Sequence, residues 1–205
     1  MDKAIFGLIG VVLGAALAVA KDWWFHRRSV QKEREYLAIL IAFSLEKLGS
    51  ECAEVVVDDG LIQGQYDSDG CRAPQASTPS FNPQSVDVEW KSIPADLMYA
   101  ILNVVNEIDA ADHRIAAAFE YAAGPPDYEE YFDERRISYA AIGMNAFGLA
   151  ERLRTIGGLP RRDIRDWDPV EVMRTHKQEV ENSKSQREAR QSKLFDITAA
   201  ADAQK

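Results

Sequence analysis

AIFGLIGVVLGAALAVA occupies residues 4–20, an apolar run without one polar side chain, and KDWWFHRR follows it at 21–28. As an α-helix the run would rise roughly 25 Å at about 1.5 Å per residue, slightly short of a hydrocarbon core of about 30 Å. Trp23, Trp24 and Phe25 make up the length, with Lys21 snorkelling toward phosphate groups and the indoles seated at the interface. The expectation is a single transmembrane helix whose membrane-interface residues are Lys21, Trp23, Trp24, Arg27 and Arg28.

Flanking charge orients it. Lys3 and the α-amino group, partly offset by Asp2, stand on one side; Lys21, Arg27, Arg28, Lys32 and Arg34 stand on the other. Cytoplasmic flanks hold the excess of Lys and Arg. The N-terminus is therefore predicted outside, and the C-terminal domain cytoplasmic, at the plasma (inner) membrane. The competing reading is a secretory signal, because Ala18-Val19-Ala20 has the small-x-small form of a cleavage site. Cleavage after Ala20 would release an exported cell-envelope helical protein. The weakly basic start and the five basic residues beyond Ala20 oppose it.

Gly10, Gly14 and Ala18 fall at i, i+4 and i+8, on one face of the run. Small residues at that spacing let membrane helices approach closely, so these three are the candidate helix–helix contact and a homo-oligomer is one expected partner.

The remainder is one domain's length of the 205 residues. The formal net charge of −9 is concentrated between Glu51 and Glu89, where eight acidic residues meet one basic residue, Arg72. Nonspecific nucleic-acid binding depends on neutralising phosphates with Lys and Arg, so nucleic acid is not an expected partner. Cys52 and Cys71 are the only cysteines: reduced if the domain is cytoplasmic, candidates for a disulfide if it is exported. Two cysteines without neighbouring histidines do not make a zinc site.

From Ser29 the hydrophobic period becomes 3.6: Tyr36, Leu37, Leu40, Ile41, Ser44, Leu45, Leu48, Cys52, Val55 and Val56 form a stripe to about Val57, where Asp58-Asp59-Gly60 ends the helix. Residues 60–93 are dense in Gly, Pro, Ser, Asp and Asn, a loop far longer than the usual few residues. Partial disorder is expected there, with Phe81, Val86 and Trp90 as points of attachment. Pro94 opens a second helix whose buried face is expected at Leu97, Ile101, Val104, Val105, Ile108, Ile115 and Phe119 before Gly124-Pro125-Pro126 stops it. A third begins near Asp127, acidic in its first turns and basic in its last, and ends at Gly157-Gly158. Asp168-Pro169-Val170-Glu171 has the form of a helix start, and the helix it opens is polar nearly all round, with an unstructured tail expected from Ser192.

The predicted fold is all-α: a single N-terminal transmembrane helix, then a three- to four-helix antiparallel bundle with one long, partly disordered loop. By residue this is an anchor and flank at 1–28, a helical bundle at 29–160 and a peripheral polar helix with tail at 161–205. The layout resembles that of many small membrane-anchored bacterial proteins, a likeness of architecture that names no family.

Site chemistry is sparse. His26, His113 and His176 are isolated from one another, and no Glu-x-x-His pair for a di-iron bundle occurs. Asp109, Asp112 and His113 form a solvated helix face; Asp67-Ser68-Asp69-Gly70 lacks the twelfth-position Glu of a calcium loop. No phosphate loop, dinucleotide fingerprint, nucleophile elbow or H-E-x-x-H is present, so neither catalysis nor a cofactor is predicted. The most distinctive body segment is Pro125 to Phe132. Tyr128, Tyr131 and Phe132 among carboxylates are a candidate interaction surface, or else rings packed on a neighbouring helix. The function expected is a membrane-anchored scaffold, adaptor or assembly module. An exported protein and an enzyme with an unrecognised site on the second and third helices stand as alternatives.

Overall fold

The computed structural model describes residues 2–164 and 167–202, and their side chains except at positions 2–13, 15, 16, 18, 19, 191 and 194–202. Among the described residues the chain is all-helical: α1 (Asp2–Val57), α2 (Ala95–Tyr121), α3 (Glu129–Gly157) and α4 (Pro169–Asp202), with single 3-10 turns at Pro83–Ser85 and Trp90–Ser92. The apolar run 4–20 lies on α1, but most of its side chains, those of Gly10 and Ala18 included, lie outside those described. Among the described residues no helix is long and apolar enough to cross a membrane.

α1 is continuous for 56 residues, about 84 Å of helix. Only its second half belongs to the bundle. From Ala20 to Glu33 every side chain is exposed except the half-buried Val30, and full burial begins at Leu37. Leu37, Ile41, Leu45, Leu48, Cys52, Val55 and Val56 face the core as the periodicity predicts, whereas Tyr36 points outward.

α3 is the centre of the bundle and packs on α1, α2 and α4. Its partners run in register and in reverse: Glu46 with Arg154 on α1, Asp96 with Arg152 on α2, Arg187 with Asp133 on α4. α3 is therefore antiparallel to each, and α1, α2 and α4 are parallel to one another. Small residues allow this. A Cβ at Gly143 would lie 2.5 Å from Met173 Sδ and 2.8 Å from Cys52 Cβ, so only glycine admits α1 and α4 together at that level. Ala140, Ala146 and Ala150 are buried on the same helix.

The parallel sense of α1 and α2 corrects the expected up-and-down order and explains the long loop. α1 ends at one end of the bundle and α2 starts at the other, so residues 58–94 must travel back its full length. They follow a defined course rather than a disordered one. Ala73 N–H donates to the Gly60 carbonyl, Arg72 N–H to the Pro126 carbonyl, and Arg34 Nε reaches the Ser92 carbonyl at the return end. Phe81, Val86, Val88 and Trp90 pack on the core, and α1 and α2 make almost no direct contact.

α4 starts as the sequence indicates, with Asp168 Oδ1 accepting the Val170 N–H at 3.0 Å. It buries Met173 and Val180 and continues as helix to Asp202, where an unstructured tail was expected from Ser192. α1 projects from one end of the bundle and α4 from the other.

Candidate functional site

The first candidate is the projecting part of α1. Residues one turn apart stack there: Arg27 Cζ lies 4.2 Å from the Trp23 ring centre, Arg28 Cζ 5.5 Å from that of Trp24, and Lys21 Nζ 5.8 Å from that of Phe25. Such pairs are worth about 0.5–1 kcal/mol each at exposed sites, enough to bias rotamers but not to bury the rings. Trp23, Trp24 and Phe25 remain more than half exposed. Lys21, Trp23, Trp24, Arg27 and Arg28 thus form a collar of indoles and cations on a helix clear of the body. Gly14, the described member of the small-residue row, has nothing within 4 Å of where a Cβ would stand.

The second candidate lies at the far end of the bundle and is built by one buried ion pair. Asp58, just past α1, meets Arg135 of α3 at 3.0 Å, their side chains 3% and 4% exposed. Asp58 also accepts the N–H groups of Gly60, Gln75 and Ala76, and Arg135 Nη2 donates to the Ala76 carbonyl. Burial alone would raise the Asp58 carboxyl. The N–H groups of Ala76 and Gly60, the Arg135 guanidinium and the Gln75 N–H outweigh it and hold the group below the usual carboxylate range. Gly60, at φ +75°, lets the chain turn across Phe132, whose ring would collide with any Cβ there.

This pin sets Arg72 and Pro74 against the helices. Phe119 of α2 stacks on Tyr128 at 5.3 Å and meets Tyr131 edge-on at 5.4 Å. Together with Ile115, Ala116 and Pro74 the rings line an open cleft of about 430 Å³, with Arg72 and Asp112 its charged members. Asp112 accepts the Tyr139 hydroxyl at 2.6 Å, and burial, reinforced by that bond, pushes the Tyr139 phenol upward.

Of the three aromatic residues singled out in the sequence, Tyr128 and Tyr131 are half-buried in this cleft while Phe132 is buried and offers no surface. Phe119, expected in the core, is 52% exposed because it lies in the last turn of α2, beside the rings that open α3. Arg72, Pro74 and the Asp58–Arg135 pair had no local sequence signal. They are joined only by the course of the crossover, although the acidic end of α1 facing an Arg-Arg step at 135–136 is a hint of pairing.

A neighbouring cleft of about 450 Å³ mixes Arg72, Arg136 and His176 with Asp127, Glu129 and Glu179; Arg72 pairs with Asp127, His176 lies 3.3 Å from Glu179, and Arg136 donates to the Asp58 carbonyl. Asp67 accepts the N–H groups of Asp69 and Cys71, which makes 67–71 a side-chain-closed turn. Among the described residues no group of His, Cys, Asp or Glu is placed to hold a metal ion. Both thiols are free; Cys52 is buried between α1 and α3, while Cys71 sits in the crossover.

Comparison with known proteins finds no matching family model, no matching curated protein and no matching solved structure.

Proposed function

We propose that this chain is a single-pass membrane protein whose helical bundle serves as a scaffold or adaptor at the cytoplasmic face of the plasma (inner) membrane. The run 4–20 is the span, the N-terminus is outside, and the lipid bilayer is the first partner. The observation that carries this reading is the collar of Lys21, Trp23, Trp24, Arg27 and Arg28, exposed on α1 roughly 14–24 Å before its first core residue, Leu37, at the helical rise per residue. Indoles beside cations suit the boundary between hydrocarbon and phosphate. In this arrangement the Phe119–Tyr128–Tyr131 cleft lies at the end farthest from the bilayer, available to a protein partner, and no catalytic step is assigned to the chain.

The full chain expressed in cells should resist extraction by alkaline carbonate and yield only to detergent. Its bundle should be cut by protease only after the cytoplasmic side is opened. A mature N-terminus at Lys21 with the protein in the soluble exported fraction would establish the exported alternative, which Ala18-Val19-Ala20 motivates.

A further inference from the structure

Among the described residues, one face of α1 is left largely uncovered. Tyr36, Ile39 and Phe43 are 56%, 38% and 61% exposed, on the side of the helix opposite Leu37, Ile41, Leu45 and Cys52. At 100° per residue they share an arc of about 60° with Phe25 and with Gly14 farther along the same helix. The spacing is that of a seam: Phe25, Ser29, Lys32, Tyr36, Ile39 and Phe43 follow one another at steps of 4, 3, 4, 3 and 4. A repeat of 3.5 residues is what two helices coiled about each other present to one another. The crossover, α3 and α4 pack mainly on the other side; of α3, Arg154 reaches round to lie 5.8 Å from the Phe43 ring centre.

We propose that a second copy of this chain packs in parallel along this face of α1, making the bundle pair a homodimer. Charge selects the second copy as the occupant. In a parallel, in-register pair the position before Ser29 faces the position after Lys32, so Arg28 of each copy meets Glu33 of the other, twice by symmetry. The Lys32 stem covers the seam while its ammonium reaches the same Glu33. Within one chain Glu33 accepts only a 3.2 Å bond from the Ser29 hydroxyl, and Arg28 merely overlies Trp24. The seam ends after Phe43 because the bundle comes round to this face there: Glu46 and Ser50 are half-buried, and Glu46 already holds Arg154 of α3. The parallel sense rests on the anchored reading, since one bilayer would align both helices; the face itself does not.

Sedimentation of the full chain in detergent micelles should give the protein mass of a dimer. Ile39→Glu with Phe43→Glu, both at exposed positions, should give a monomer of unchanged helicity. Glu33→Arg should weaken association roughly tenfold, the loss of two symmetric exposed pairs, and Arg28→Glu in the same chain should restore it. In a Cys71→Ser background, Tyr36→Cys should oxidise to a disulfide-linked dimer, whereas Gln31→Cys, turned away from the seam, should not. A monomer mass at every concentration overturns the proposal. So does a dimer that survives the Ile39→Glu, Phe43→Glu pair, or a lipid-protected Tyr36 on a monomeric chain. A chain that dimerises through this face without being membrane-bound would overturn the anchored function and leave the dimer standing.

Discussion

Replacing Asp58 with Ala tests how the far end of the bundle is held. The carboxylate carries four hydrogen bonds, three from backbone N–H groups and one from Arg135. Removing one partner of a buried ion pair costs about 3–5 kcal/mol, since the other charge is left unpaired. Each N–H that loses its acceptor adds about 1 kcal/mol if water replaces it and more if water does not. The sum is about 6–8 kcal/mol, comparable to the whole stability of many domains. Local release is the cheaper response, because residues 61–75 include no fully buried hydrophobic side chain and opening them lets water reach Arg135. The expected outcome is therefore trypsin cleavage after Arg72, protected in the parent by its N–H bond to Pro126, while helicity by circular dichroism persists. Acid should mimic the substitution. The native carboxyl is held below its unfolded value, so its stabilisation is complete above the unfolded pKa of about 4 and is lost as pH falls through the native one. The melting temperatures of parent and Asp58→Ala should thus begin to converge only below about pH 4 and draw together as pH falls through the lower native value. An Asp58→Ala chain that melts within about 1 kcal/mol of the parent and keeps Arg72 resistant would refute the pinning argument.

Gly143→Val should force its side chain into Met173 and Cys52 and cost at least about 2–3 kcal/mol, read as a lowered urea midpoint with release of α4 to protease. Met173→Ala, at a fully buried site, should cost about 2–4 kcal/mol in the same assay. Burial, with the Glu51 carboxylate adding to it, pushes the Cys52 thiol up to about 12, so iodoacetamide at pH 8 should label the native chain once, at Cys71, and twice after unfolding. Tyr139→Phe should lower stability by about 1–2 kcal/mol, since Asp112 is exposed and hydrates once the phenol is gone.

Helix existence was legible wherever punctuation was strong. Pro94 and Asp168 mark two helix starts, Gly157-Gly158 marks an end, and the stripe from Leu37 to Val56 faces the core as its period requires. The arrangement of those helices was not legible. α3 is the hub, but it announces itself through glycine and alanine at 140, 143, 146 and 150, which carry little hydrophobic signal. Their contribution is proximity, visible only against the side chains they admit. The length of 60–93 was visible and its cause was not, because a proline- and glycine-rich segment looks alike whether it wanders or bridges two parallel helices. At the far cleft, Tyr128 and Tyr131 stood out by composition. Phe119 and Arg72 join them through tertiary contacts at separations that no local pattern encodes. Tyr36 was misplaced for a related reason: α1 has apolar residues on two sides, and a periodicity cannot distinguish the side that meets α3 from the side left open.

The pairing of α1 with α3 also has a consequence in time. Glu46 and Arg154 are 108 residues apart, so the greasy face of α1 leaves the ribosome long before the helix that covers it. At about 5–20 residues per second, roughly 100 intervening residues take about 5–20 s to synthesise. Throughout that interval Leu37 to Val56 form an uncovered amphipathic helix, followed by a crossover whose own docking sites on α3 do not yet exist. Assembly of this chain should therefore be slow for a helical protein and dependent on chaperones while translation proceeds.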